Sequence, residues 1–172
     1  NSRITNLHIE NITTSNNNHS SGIYTTSKSN IIIDKCFITC SGTGITKYGA
    51  YFESTDYKMY RCNFNILAGA GGNTGNLYGI YNNICGSVEK IVIETTTVKV
   101  AESGSNTGQN HIGIYTEDTH LHLISPFINI KGGDHSDKGL LAKSSGSTNY
   151  SIIIQEGEII IDTVGSNNYA IS

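Results

Sequence analysis

Two glutamates hold equivalent places in the sequence and could act together as a pair of catalytic carboxylates. Glu53 and Glu117 each follow, by four residues, the glycine of a tripeptide that reads Gly-hydrophobic-Tyr. If successive tripeptides lie on neighbouring strands, the two glutamates are two strands apart, and their backbones are separated by about 9.6 Å. Inverting glycosidases place their two carboxyl groups about 6.5–9.5 Å apart, with room for a water molecule. The pair therefore makes polysaccharide hydrolysis one of the two functions to consider.

Four tyrosines stand directly after the hydrophobic residue of these tripeptides: Tyr24, Tyr51, Tyr81 and Tyr115. Neighbouring residues of a strand point to opposite faces, so an inward hydrophobic residue sends each tyrosine outward. Asn83 shares this outward parity and lies between Glu53 and Glu117 in the repeat. Outward tyrosines can stack on sugars or form a protein interface, and they can also stack on one another and only stiffen the coil. We expect the four tyrosines and Asn83 to be the ligand-binding residues.

The histidines and cysteines give no clear metal site. His120 and His122 are spaced to share a metal on one strand face, but no third ligand is fixed beside them, and we interpret them as exposed polar side chains. Cys36 and Cys62 hold equivalent positions in neighbouring repeats, and we expect them to stack inside the protein as reduced thiols. No CxxC pair is present. We therefore expect neither a metal nor a cofactor.

These residues belong to a repeat of about 30 residues. Hydrophobic side chains recur at offsets 0, 2, 5, 7 and 9 from Ile31, and the same template begins again at Tyr57, Ile91, Leu121 and Ile152. An earlier copy is predicted to be Leu7, Ile9, Ile12, Thr14 and Asn16. The glycine-led tripeptides keep step with the template, at intervals of 26 to 34 residues, beginning at Gly22, Gly49, Gly79, Gly113 and Gly139, with Ala170 in the last place.

The template predicts short strands joined by a corner. Offsets 0 and 2 share one face, and the parity then slips by one before offsets 5, 7 and 9 share it again. The chain must bend between them, and the tripeptide supplies a third strand. Three strands per repeat with no helix between can close as a coil in which each strand pairs with its equivalent one turn later. We predict an all-β parallel solenoid of about six coils, about 29 Å long.

Composition excludes several function classes. The chain has 172 residues, a net charge of −3 and only 15% charged residues, so nucleic acid is not an expected partner. No apolar run is long enough to span a membrane. The 26 isoleucines against seven leucines, with 19 glycines and one proline, favour strands and turns over helices. We predict one domain over residues 1–172, and the start at Asn1 indicates a segment of a longer protein.

The "IENI" at Ile9–Ile12, the glycine-hydrophobic openings and the irregular repeat length resemble the right-handed parallel β-helix of the pectate-lyase-like superfamily. The resemblance implies that the first sheet commonly carries a substrate groove. It also implies asparagine at a corner between strands, and Asn11 matches that position. The aspartate clusters of the polygalacturonase-like hydrolases, and the calcium carboxylates and catalytic base of pectate lyases, have no counterpart in this sequence.

Two functions follow as expectations. The first is a non-enzymatic surface solenoid, part of an adhesin, fibre or virion appendage, that contacts glycans or partner proteins outside the cell or on a cell or virion surface. The alternative is a carbohydrate-active β-helix, like the phage tailspikes, that uses Glu53 and Glu117. Open strand edges at the two ends lead us to expect flanking sequence, a homo-oligomer or end-to-end stacking.

Overall fold

The structure is a computed structural model, and it describes residues 2–13, 19–42, 46–68, 75–85, 90–101, 110–132, 136–146, 150–162 and 167–172. Eighteen strands and no helix occur in these segments. The first three coils contain β1 (Ser2–Thr5), β2 (His8–Thr13), β3 (His19–Thr26), β4 (Ile31–Asp34), β5 (Phe37–Gly42), β6 (Thr46–Glu53), β7 (Tyr57–Tyr60), β8 (Asn63–Leu67) and β9 (Leu77–Asn83). The last three contain β10 (Ile91–Glu94), β11 (Thr97–Ala101), β12 (His111–Glu117), β13 (Leu121–Ile124), β14 (Phe127–Lys131), β15 (Lys138–Lys143), β16 (Ile152–Gln155), β17 (Glu158–Asp162) and β18 (Tyr169–Ile171).

The strands form three parallel sheets of six strands each, which confirms the predicted parallel β-solenoid. Sheet A holds the first strand of every coil, sheet B the second and sheet C the third. Each strand pairs with its equivalent in the next coil: Ile31 lies beside Tyr57, and Lys58 beside Val92. The partners are thus 26 to 34 residues apart along the chain, as the repeat predicts.

Left-handed backbone conformations produce the corners that the template predicts. Between sheets A and B, one non-glycine residue per coil has φ between 47° and 59°: Asn6, Lys35, Arg61, Thr95, Ser125 and Glu156. A second such row, Ser27, Ser54, Ile84 and Asp118, turns the chain from sheet C back to sheet A. This conformation costs about 1–2 kcal/mol per residue outside glycine. Backbone hydrogen bonds to the next coil offset part of that cost, as from Lys35 N–H to the Tyr60 carbonyl at 3.0 Å.

Side chains at the predicted template positions fill the interior. Ile33, Ile38, Met59 and Phe64 are fully buried. The last coil behaves differently, because Ile154 is 37% exposed where burial was expected. Within the described chain no further coil covers that strand, and β16 is exposed along its length. Coils 2 to 5 are covered on both sides, so about four coils, not six, have a closed core.

The predicted first copy of the repeat is displaced by five residues. Ser2 and Ile4 pair with Ile31 and Ile33, so coil 1 begins at Ser2 and not at Leu7. Ile12 is 62% exposed in consequence. Ser2 is polar although it holds the template position of Ile31, so the hydrophobic pattern does not reveal where coil 1 begins. Leu7 and Ile9 are two residues apart, which is the spacing expected at the start of a copy. The other two members of that copy, Thr14 and Asn16, lie outside the described residues.

The same shift corrects the asparagine at the corner. Asn11 pairs with Cys40 inside sheet B, and its side chain donates a 2.9 Å hydrogen bond to the Ser21 carbonyl. The corner position of coil 1 is instead occupied by Asn6, with φ 54°. Asparagine tolerates this left-handed conformation better than most residues.

Cys36 and Cys62 lie in adjacent coils, as predicted, with a 2.8 Å backbone hydrogen bond from Asn63 N–H to the Cys36 carbonyl. Both are buried free thiols, as are Cys40 and Cys85. The Cys62 thiol donates to the carbonyl of Tyr60, two residues earlier across the corner. Thr96, one coil later, makes the same bond to Glu94 at 3.0 Å. The residue after this corner is therefore a small side chain that donates back across it, either cysteine, as at Cys62, or threonine, as at Thr96.

We expect all four thiols to be unreactive in the folded protein. Burial raises the pKa of Cys40, Cys62 and Cys85 to about 11, so about one molecule in a thousand carries each thiolate at pH 8. A colorimetric disulfide reagent at pH 8 should label fewer than one thiol per chain within minutes, and four after addition of guanidinium chloride. Rapid labelling of the native protein would contradict this expectation, because it would show that the segments that bury the thiols open in solution.

Candidate functional site

The four tyrosines that follow the glycines lie side by side on the outer face of sheet C. Tyr24 pairs with Tyr51, Tyr51 with Tyr81, and Tyr81 with Tyr115. The residue before each one is buried: Ile23, Ala50, Ile80 and Ile114. We call these four tyrosines the long row.

The rings of the long row stack on one another. Ring centroids are 5.4 Å apart for Tyr24 and Tyr51, 4.9 Å for Tyr51 and Tyr81, and 4.4 Å for Tyr81 and Tyr115. The last two pairs are within 9° of parallel. Ring faces inside the row are therefore covered by neighbouring rings, and the row presents ring edges and hydroxyls. Only Tyr24, at the end of the row, is largely exposed, at 58%.

A second set of tyrosines, not singled out in the sequence, stands beside the long row. Tyr48 and Tyr78 stack at 5.1 Å, and we call them the short row. Tyr48 meets Tyr51 edge-on at 5.0 Å, and Tyr78 meets Tyr81 in the same way at 5.1 Å. Together the two rows form a continuous surface of six tyrosines, the tyrosine strip. The sequence signal was the first tyrosine of "YGAY" and "YGIY", which directly precedes the glycine.

Glycine makes the two rows share a face. Tyr48 and Tyr51 are three residues apart and would point to opposite faces of a regular strand. The strand breaks its alternation between them, where Gly49 and Ala50 are both buried. A Cβ atom on Gly49 would lie 2.5 Å from the Gly79 carbonyl oxygen and 2.8 Å from Ile66. The backbones approach too closely for any side chain, which is the physical reason for the glycine in each tripeptide.

A polar row lies two residues beyond the long row. Glu53 pairs with Asn83 and Asn83 with Glu117, so the two glutamates are two coils apart, as expected. Glu53 accepts a 3.4 Å hydrogen bond from Thr26. Glu117 accepts one of 2.5 Å from the Tyr115 hydroxyl. The structure thus brings all the predicted site residues onto one face, with Glu117 already engaged by the strip.

Tyr115 is less accessible than predicted. Its outward position is as expected, but the residue is only 6% exposed. Tyr81 covers one face of its ring, and the Lys143 ammonium lies 5.7 Å from the ring centroid. A ligand on the strip would therefore contact the neighbours of Tyr115, such as Tyr81 and Lys143, more than Tyr115 itself.

Five of the six hydroxyls of the strip have a pKa raised above the ordinary value and remain neutral at physiological pH. Burial is the main cause that raises the pKa of Tyr48, Tyr51, Tyr78, Tyr81 and Tyr115 above the ordinary value. A hydrogen bond from the Asn83 side chain opposes this shift at Tyr51. The strip therefore offers uncharged donors and acceptors next to the Glu53 and Glu117 side chains.

A cavity of about 370 Å³ opens at the coil 1 end of the strip. It is lined by His19, Ser21, Tyr24, Tyr48 and Tyr51. We call it the first-coil cavity. Two of its lining residues, Tyr24 and Tyr51, are among the predicted ligand-binding residues.

The interior of sheet C contains titratable residues that were not predicted from the sequence. Lys47, His111 and Asp137 are fully buried. Burial lowers the pKa of Lys47 to about 8. His111 Nδ1 lies 3.6 Å from Asp137 Oδ1, and the backbone N–H of His111 donates a hydrogen bond to that oxygen at 3.1 Å. In the sequence, each of these three residues lies two positions before the glycine of a tripeptide, and side chains at that position point inward.

The His120 and His122 pair lies away from the strip, on the sheet A side. His120 Nδ1 accepts a 3.1 Å hydrogen bond from the Ser151 N–H, so this nitrogen is occupied within the protein. In the part of the chain that the structure describes, no group of three or more His, Cys, Asp or Glu side chains is arranged to hold a metal ion.

Comparison with known proteins gives no relative for this chain. No protein-family model, no curated protein and no solved structure matches it. Within the described segments, no helix has the length and apolar character needed to cross a membrane. The conclusion that stands is the fold: an all-β parallel solenoid whose third sheet carries a strip of six stacked tyrosines.

Proposed function

We propose that this chain is a non-enzymatic surface β-solenoid that binds glycan chains along the tyrosine strip of sheet C. In this proposal it forms part of an adhesin, fibre or virion appendage, outside the cell or on a cell or virion surface. Its repeat and its three-strand coils agree with a place in the pectate-lyase-like superfamily, which is part of the same proposal.

The observation that carries the proposal is the continuous contact among the six tyrosines. Stacked rings have lost their rotational freedom before any ligand arrives, so binding costs little side-chain entropy. Tyrosine also combines a large apolar body with a hydroxyl that donates and accepts hydrogen bonds. A glycan chain presents alternating C–H and hydroxyl surfaces, and a rigid row of ring edges and neutral hydroxyls complements them.

The polar row supports recognition of hydroxyl groups. Glu53, Asn83 and Glu117 follow the strip at one-coil intervals, so their side chains form a second line of hydrogen-bonding groups parallel to it. Sugars would meet the stacked rings on one side and the polar row on the other. The binding surface would then run along the solenoid axis.

Replacing three tyrosines should remove most of the binding. We expect a Tyr51→Ala/Tyr81→Ala/Tyr115→Ala variant to bind at least about fivefold more weakly on a glycan array. The rings of Tyr51 and Tyr81, each worth about 0.5–1.5 kcal/mol beyond its buried area, are lost, together with Tyr115, which stacks against Tyr81. His120→Ala, on another side of the solenoid, is the control and should bind like the unaltered protein. Circular dichroism checks that both variants keep their strands. Unchanged binding in the triple variant, or the absence of any glycan bound by the unaltered protein, would contradict the proposal.

A second candidate function is hydrolysis of a polysaccharide by Glu53 and Glu117. It is favoured by their shared face and their two-coil separation, about 9.6 Å between backbones, which is close to the spacing in inverting glycosidases. The array ligands should therefore also be assayed for new reducing ends. Release of reducing ends that is lost in Glu53→Gln would establish this second function and overturn the non-enzymatic proposal.

A further inference from the structure

The short row of tyrosines has no member in coil 1, although the long row begins there with Tyr24. In the strand register Tyr78 lies beside Tyr48, and Tyr48 lies beside Ser21. One face of the Tyr48 ring is stacked on Tyr78 with the two planes within 10° of parallel. Toward coil 1, the register places the small Ser21 side chain where a third ring would continue the row. Tyr48 is also one of the residues that line the first-coil cavity.

The cavity has the size and surroundings of a site for a single sugar ring. Its volume of about 370 Å³ is within the range of pockets that hold small ligands, about 300–1,000 Å³. Tyr24 borders it on the side of the long row, with its ring tilted by 37° against Tyr51. His19 borders it as well, 6.1 Å from the Tyr48 ring centroid. An aromatic platform thus lies among side chains that can hydrogen-bond.

The lining favours a neutral ligand. It contains hydroxyls from Ser21 and the tyrosines and an imidazole from His19, and none of the lining residues that the structure describes is Lys, Arg, Asp or Glu. A uronic acid or sulfated sugar would bring a negative charge into a site without a fixed positive charge, which is costly where the charge is partly desolvated. A neutral pyranose instead offers a face of C–H bonds to the ring and hydroxyls to the rim.

We propose that the first-coil cavity binds one uncharged pyranose ring, whose C–H face stacks on Tyr48 in place of the absent third ring. The inference rests on the proposed glycan-binding function and assigns to it an end subsite of defined chemistry. The rest of a glycan chain would continue from this subsite along the strip, past Tyr51 and Tyr81.

The test uses monosaccharides and a variant that fills the cavity. Methyl β-glucopyranoside, methyl β-galactopyranoside and sodium glucuronate are titrated while tyrosine fluorescence is recorded, since the protein has no tryptophan. We expect one of the neutral glycosides to bind and glucuronate not to bind. Ser21→Tyr should complete the short row and weaken that binding at least about tenfold. Ser21→Ala, which removes the hydroxyl but leaves the cavity open, should weaken it by only about threefold, the loss of one hydrogen bond.

A second variant protects the test against misfolding of Ser21→Tyr. Tyr24 is 58% exposed, so Tyr24→Ala should fold, and it should weaken the neutral glycoside by about threefold or more. Equal binding in the unaltered protein, Ser21→Tyr and Tyr24→Ala would overturn the inference. Binding of N-acetyltyrosinamide without binding of either glycoside would also overturn it and would assign the cavity to an aromatic side chain of a partner protein.

The outcomes separate this inference from the proposed function. Array glycans that bind Ser21→Tyr normally but fail to bind the triple tyrosine variant would overturn the cavity subsite and leave the strip in place. A neutral glycoside that binds the cavity while no array glycan is bound would overturn the function along the strip and support the subsite. If Ser21→Tyr loses binding of the neutral glycoside and of the array glycans, the cavity subsite and the function along the strip are both supported.

Discussion

Gly79→Ala is expected to destabilise the protein by about 2–3 kcal/mol, near the upper end of what overpacking usually costs. A Cβ atom at this position would lie 2.5 Å from the Gly113 carbonyl oxygen and would also collide with a methyl group of Val98. Neither obstacle can rotate away easily, because one is backbone of the next coil and the other is a buried β-branched side chain. The expected measurement is a lower midpoint of urea unfolding followed by circular dichroism.

The matched control is Gly146→Ala, where no atom lies within 4 Å of the added Cβ. This change should be neutral or slightly stabilising, because alanine restricts the unfolded chain more than glycine does. Gly79 also separates Tyr78 from Tyr81, so its substitution should change the tyrosine fluorescence of the strip, while the control should not. Equal stability of the two variants would show that the glycine row does not bring the coils into close contact.

Phe64→Ala is expected to cost about 3–5 kcal/mol, the range for removing a large buried aromatic side chain. Phe64 is fully buried in sheet B, beside Ile38 in the preceding coil and Val98 in the next. The neighbouring coils are held by backbone hydrogen bonds and cannot collapse freely into the space left. Thermal or urea unfolding measures the loss, which is a large share of the 5–15 kcal/mol typical of a folded domain.

Phe37→Ala provides the comparison within the same sheet. Phe37 is 41% exposed on the outer face, where its ring meets His8 edge-on at 5.0 Å. Its loss should cost less than about 1.5 kcal/mol, since mainly one aromatic contact disappears. Similar costs for the two substitutions would mean that the assignment of inner and outer faces in sheet B is wrong.

The repeat was readable because a solenoid uses one interior position again in every coil. Ile33, Met59, Ile93 and Leu123 hold that position and are fully buried, and Ile154 holds it in the next coil, so the same hydrophobic spacing occurs five times along the chain. The parity slip between offsets 2 and 5 was readable for a similar reason, since only a bend can return the next side chain to the interior. The structure shows that bend as a residue with positive φ, such as Lys35 or Arg61.

The first coil was misread because its rung residues are not all hydrophobic. Ser2 holds the position that Ile31 holds one coil later, so the hydrophobic spacing of the template first appears at Leu7. Ile154, in the last described coil, is exposed because no described coil covers it on its far side.

The sequence by itself determined the fold class, the three strands per coil, the stacking of Cys36 on Cys62 and the shared face of Tyr51, Tyr81 and Tyr115. Each of these follows from strand alternation and from a repeat length, which are local properties. Only the tertiary structure decided that Tyr48 joins the same strip, because this depends on a break in alternation at Gly49 that arises from contact with Gly79 in the next coil. It also decided that the rings cover one another and that Ser21 leaves a cavity beside Tyr48, since both depend on which side chains become neighbours across coils.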